Sequence, residues 1–189
     1  FLVATKMGRR ANPHVAGAYT LDAFRRWADR SRQNLGVDTL DLIQLHCPPT
    51  EVLKNPETFD ALRVLQAEGA VSSWGVSVET VDEALQVLGE DGLASLQIIV
   101  NVFRRKPLEV VIGRAADAGV AILARVPLAS GLLSGKYDES TTFAANDHRT
   151  YNRAGAAFDV GETFSGVPFE VGVRAAREVS AIVPDGWTT

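Results

Sequence analysis

The sequence predicts an α/β fold built on a parallel sheet, and three observations carry that prediction. Short β-rich runs alternate with helical patterns along most of the 189 residues. Runs such as Gln97-Ile98-Ile99-Val100 and Val120-Ala121-Ile122-Leu123 are apolar at consecutive positions, as in strands buried on both faces. The helical stretches between them carry legible start and stop residues. Composition agrees: 46% apolar and 22% charged residues describe one globular domain with a sizeable core and exclude disorder as the main state. A net charge of −4 gives no broad electrostatic reason to bind nucleic acid or an anionic membrane.

In chain order, the first strand is expected over residues 1–6 and the second over 40–46. Three more follow at 70–78, 96–103 and 120–126. The first helix runs from Thr20 to Leu35, with Leu21, Phe24, Ala28 and Leu35 near one face and Gly36 as a left-handed stop. Asn55-Pro56 reads as a cap followed by proline at the first helical position, and Gly69 closes that helix. Thr80-Val81-Asp82-Glu83 is a capping box. Pro107 opens another helix, with Val110, Val111, Ala115 and Ala118 as its apolar positions and Gly119 at its end.

Five strand–helix units in series imply parallel strands with right-handed crossovers. A doubly wound sheet announces itself with a G-x-G-x-x-G turn after its first strand. Here that turn is Lys6-Met7-Gly8-Arg9-Arg10. A (β/α)8 barrel instead sets polar residues at the C-terminal ends of its strands, around one mouth. Lys6, His46, Ser77, Asn101 and Arg125 recur at those places, so the expected fold is a TIM barrel.

A full barrel takes about 250 residues. The first strand pattern opens at Phe1 itself, and after the turn Pro184-Asp185-Gly186 the run Trp187-Thr188-Thr189 reads as the N-cap of a further helix. The expectation is therefore a single partial barrel domain over residues 1–189, truncated at both ends, with a long excursion at 127–167. Loops of that length commonly serve as lids or binding loops.

Lys6 and His46 end strands one unit apart, where an ammonium and an imidazole can do acid–base work on one substrate. Gly131-Leu132-Leu133-Ser134-Gly135-Lys136 is one residue short of a P-loop and lacks its Ser/Thr, so that assignment is rejected. The segment still offers backbone N–H groups and a cation for a pyrophosphate. The one cysteine, Cys47, reads as a packing residue. With His14, His46 and His148 as the only histidines, no metal site is expected. No apolar run reaches the roughly 20 residues that span a bilayer, and the cytosol is the expected compartment.

Ala4-Thr5-Lys6, the run from Asp38 to Pro49, Gly75-Val76-Ser77, Gln97 with Asn101, and the run from Pro127 to Tyr137 together resemble the aldo/keto reductase family. The resemblance implies a (β/α)8 barrel that binds a nicotinamide cofactor, usually NADPH, and reduces aldehydes or ketones by hydride transfer. It aligns this chain with barrel strands three to seven. The family works with an Asp, a Tyr, a Lys and a His. Lys6 matches its lysine after strand three, and His46 its histidine after strand four. The Asp and Tyr belong near strand two and match no position here. Tyr19, Tyr137 and Tyr151 lie outside the family's tyrosine motif. The 2′-phosphate grip that separates NADPH from NADH follows strand eight and is likewise unmatched.

By the same resemblance, Ser77 and Gln97 hold the nicotinamide carboxamide. Val126, Pro127, Leu128, Gly131 and Lys136 form the loop around the pyrophosphate. Val78 replaces a common Asn, and Arg125 replaces an aromatic ring that stacks on the nicotinamide. A guanidinium plane also stacks, and its charge is expected to favour the reduced cofactor. A non-catalytic, cofactor-binding regulatory subunit of the same fold is the alternative. The 189 residues alone are expected to show little or no turnover, since an open sheet exposes its edges. No nucleic-acid or membrane partner is expected, and the substrate is a small carbonyl compound.

Overall fold

The computed structural model describes residues Phe1–Trp187; Thr188 and Thr189, where the sequence places a helix cap, lie outside the described residues. Five strands form one sheet: β1 (Ala4–Met7), β2 (Leu40–His46), β3 (Val71–Ser77), β4 (Leu93–Ile99) and β5 (Ala121–Arg125). Their spatial order is their chain order, β1-β2-β3-β4-β5. The pairs β1–β2, β2–β3 and β3–β4 are parallel. A doubly wound sheet reverses direction at a switch point, whereas a barrel adds each strand beside the last. The order observed is that of a barrel.

Strand alternation gives the sheet two different faces. Ile43, Leu45, Trp74, Val76, Leu96 and Ile98 are buried on one. The helices α1 (Leu21–Leu35) and α3 (Pro56–Ala67) pack on the strands, α1 on β1 and β2, α3 on β3. The other face carries Leu40 and Val71 at one end and turns polar toward the C-terminal ends of the strands. Gln44, Gly75 and Ser95 stand in register across β2, β3 and β4. The Gln44 amide donates to Ser95 Oγ at 3.0 Å, directly over Gly75. A Cβ at Gly75 would collide with Ser95 Oγ and the Ser95 carbonyl oxygen, so only glycine lets this bond form. Two residues further along, His46, Ser77 and Gln97 form the next row.

Most helix ends fall where the capping residues put them. Thr20 accepts from the Ala23 N–H, and Gly36 ends α1 at φ 67°. Asn55 caps α3 through the Glu57 N–H. Both halves of the Thr80–Glu83 capping box are present at the start of α4 (Val81–Val87). A short helix α2 (Thr50–Lys54) was not foreseen. The helix expected from Pro107 begins at Lys106 and breaks at Val111 into α5 (Lys106–Val110) and α6 (Ile112–Asp117). Two adjacent β-branched residues, Val110 and Val111, sit at that break.

β1 and β4 differ from expectation in their bounds, and β5 in its burial. β1 starts at Ala4, where pairing with Leu42 begins, and Phe1 and Leu2 are exposed. β4 runs from Leu93 to Ile99, starting and ending earlier than expected, and it ends early because the Asn101 side chain folds back on the residues that follow it. Its side-chain oxygen accepts from the N–H groups of Phe103 and Arg104 at 2.9 and 3.1 Å. Asn101 therefore stands in a turn after the strand. β5 is not buried on both faces; Ala121 and Ala124 are exposed, because β5 is the last strand in the sheet order.

The chain gathers into two compact units. The first comprises Phe1–Ile98 and Leu108–Leu123; the second comprises Ile99–Pro107 and the chain from Ala124 on. The second unit has little regular structure before α8 (Phe169–Ala181); α7 (His148–Tyr151) is one turn. Its core is Ala129, Leu132, Leu133, Phe164, Phe169 and Val173, with Ala176 beside them.

Candidate functional site

In the first unit, Lys6 pairs in register with Gln44, and His46 lies two residues beyond Gln44. Alternation places both on the polar face. Both line one open cavity of about 460 Å³ that runs along β1 and the turn after it, from Ala4 to Arg10, and is also lined by Arg30, Ser31 and Asn34 of α1. Beside His46, Ser77 is fully buried and donates to Gln97 Oε1 at 3.4 Å. The strand ends are tied by Cys47 N–H to the Ser77 carbonyl at 3.0 Å and Val78 N–H to the Gln97 carbonyl at 2.9 Å. Cys47 is buried, its Sγ 3.6 Å from Ser77 Oγ, and it adopts a left-handed φ of 43°. That conformation is costly for a non-glycine residue and turns the chain sharply after His46.

Tyr19 is a structural phenol of the same unit. Its hydroxyl is 2.7 Å from His14 Nε2, and its ring packs edge-on against Phe24 and Trp27. Burial pushes its pKa up to about 12. Burial, aided by the nearby Arg9 charge, lowers that of His14.

The second unit holds the other sequence-predicted residues. Arg125 Nε is 3.1 Å from Glu162 Oε1, an ion pair with both side chains mostly buried. Val126 has a left-handed φ of 52°, and its carbonyl accepts from the Asn101 amide at 2.9 Å. The same amide donates to Ser165 Oγ at 2.6 Å. Pro127 and Leu128 are exposed, and Lys136 is exposed beyond the turn at Gly135. Gly131 has φ 96°, and a Cβ there would meet the Tyr137 ring. The segment Ala129–Ser134 is a kinked 3-10 turn rather than a loop opening a long helix, so its geometry is unlike a P-loop's.

A nicotinamide cofactor can be tested against these groups by donor chemistry. A carboxamide needs one acceptor and one donor, which Gln97 and Ser77 supply. A pyrophosphate needs a cation and close backbone approach, which exposed Lys136 and the glycine-bearing turn supply. Taken unit by unit, each set of residues suits its own part of such a group. Among the described residues there is no cluster of His, Cys, Asp and Glu able to hold a metal ion. Among them, too, no helix is long and apolar enough to cross a membrane.

Sequence reasoning missed Glu162 and the buried Asn152. Glu162 had no local mark, because its partner Arg125 lies far earlier in the chain, across an irregular segment.

The sheet order defines a sector of a parallel (β/α)8 barrel. The chain belongs to the aldo/keto reductase family, whose sequence pattern matches residues 1–183. An aldo-keto reductase of Babesia bovis is 30% identical over 176 residues, covering 73% of this chain and 61% of the relative. Aldo-keto reductase YhdN of Bacillus subtilis is 29% identical, over 66% of this chain and 37% of its own length. The glycerol dehydrogenase AKR11B4 from Gluconobacter oxydans superposes with a TM-score of 0.71 at 26% identity, over 95% of this chain and 54% of that one. The chain thus spans less than two thirds of the relatives it matches.

Proposed function

We propose that the chain is part of an NADPH-dependent carbonyl reductase in which Lys6 and His46 are catalytic. The observation that carries this reading is their placement on one sheet face, at adjacent strand ends, lining one cavity. Bound cofactor supplies the hydride. His46 orients the substrate carbonyl by donating to its oxygen as negative charge develops there. The Lys6 ammonium lowers the pKa of the phenol that protonates that oxygen. The family's phenol and aspartate match no position among residues 1–189. Ser77 and Gln97 hold the carboxamide. Val126, Pro127, Leu128, Gly131 and Lys136 wrap the pyrophosphate, and Arg125 stacks on the nicotinamide. Both units belong to one barrel domain, and the protein works in the cytosol.

The test uses the full-length protein. Lys6→Met and His46→Gln are each expected to cut kcat for aldehyde reduction by about 100-fold or more, while NADPH still quenches intrinsic fluorescence. Unchanged turnover in both variants would overturn the assignment of Lys6 and His46, and a wild-type protein that binds NADPH without reducing any aldehyde or ketone would favour the regulatory-subunit alternative.

A further inference from the structure

We propose that Glu162 is a positioning residue that cancels the charge of Arg125 at the nicotinamide and so sets the balance between oxidised and reduced cofactor. This rests on the assignment of Arg125 to the nicotinamide ring. Arg125 alone would present a fixed positive charge to that ring, and the oxidised ring is itself positive. The structure sets Glu162 Oε1 3.1 Å from Arg125 Nε, with Arg125 side-chain exposure at 13% and that of Glu162 at 25%. An ion pair at this distance has a field that falls off faster than that of a single charge.

Glu162 is held in place from its own backbone. Its carbonyl accepts from Ser130 Oγ at 2.8 Å. The same Ser130 oxygen accepts from the Phe164 N–H at 3.0 Å. Ser130 sits in the left-handed region at φ 56°, inside the segment assigned to the pyrophosphate. One hydroxyl thus clamps the backbone on both sides of Thr163 to the cofactor loop. The chain holds the carboxylate against Arg125 with a short segment whose position is fixed, which a mobile surface acid would not do.

The experiment measures the dissociation constants of NADP⁺ and NADPH for the full-length protein by fluorescence titration. Glu162→Gln is expected to raise the ratio of the NADP⁺ to the NADPH constant by about tenfold, the size of one partly screened unit charge. Arg125→Met with Glu162→Gln is expected to restore the wild-type ratio within about twofold. An unchanged ratio in Glu162→Gln would overturn the proposal. So would a double variant shifted toward NADP⁺, because it would mean that the Arg125 charge is felt uncancelled in the wild type. The double variant stands by itself should Glu162→Gln lose its fold. Failure of wild-type protein to bind either cofactor would instead count against the cofactor assignment itself.

Discussion

The two units are held together by different means. The first is a sheet whose apolar face is covered by helices, with Phe24, Phe59, Trp74 and Leu62 among its fully buried side chains. The second has a smaller apolar cluster and a dense set of side-chain-to-backbone hydrogen bonds. Asn101, Ser130, Asn152 and Asp159 each fix irregular backbone there. Left-handed non-glycine residues divide the same way: Cys47 in the first unit, but Val126, Ala129, Ser130, Phe164 and Ser165 in the second. Strain of this kind persists only where surroundings over-determine the backbone. The first unit is a scaffold that would suit many ligands. The second has been shaped, at a cost in conformational energy, to hold one loop in one form.

The largest expected effect probes the scaffold. Gly75→Ala would drive a methyl group into the Ser95 carbonyl oxygen, which belongs to the neighbouring strand and cannot swing away. Overpacking of that kind is expected to cost about 3 kcal/mol or more. Urea denaturation of the full-length protein checks it; a cost below about 1 kcal/mol would mean that the β3–β4 register is soft. The next effect probes the shaped loop. Asn152 is fully buried, accepts from the N–H groups of Ala157 and Phe158, and donates to Thr163 Oγ1. Asn152→Ala leaves those groups unpaired and is expected to cost about 2–3 kcal/mol. Faster hydrogen exchange should be confined to the second unit. Equal loss of protection in both units would erase the distinction drawn between them.

That division also explains what the sequence made legible. Strand and helix periods, Thr20, Asn55, the Thr80–Glu83 box and Gly36 act through near neighbours, so they can be read from a few residues at a time. Lys6 and His46 stood out because each follows a strand-like run. Asn101 defeated the strand prediction, because its side chain takes the Phe103 and Arg104 N–H groups that a continuing strand would have paired. β5 looked buried in sequence, but burial depends on which strand stands beyond it. Glu162 and Asn152 act on partners reached only after the loop has folded, and no periodicity marks them. The exception in the second unit is α8, where Phe169, Gly172, Val173 and Ala176 follow a helical period that went unread.

Alkali should separate the units by chemistry rather than by contacts. In the first unit, burial raises the Tyr19 phenol from 10.0 to about 12. An acid whose folded pKa is raised is neutral in the native state at a pH where the unfolded chain has already ionised it. The stability it contributes is complete below pH 10 and is lost as the pH rises toward 12. A rise of that size corresponds to a loss of about 2–3 kcal/mol across the window. In the second unit, the Asp147 carboxylate is held below its usual range by hydrogen bonds from Arg149, and the Arg149 guanidinium is raised by the same partner. Neither group changes charge between pH 10 and 12, so this pair contributes nothing to alkaline unfolding. Tyr19→Phe is expected to flatten the stability curve over the window while leaving Asn152-linked protection unchanged. Hydrogen exchange read separately in α1 and around Asn152 measures both. A Tyr19→Phe variant that still loses α1 protection between pH 10 and 12 would show that another group carries the alkaline transition, and that the scaffold is not distinguished by its buried phenol.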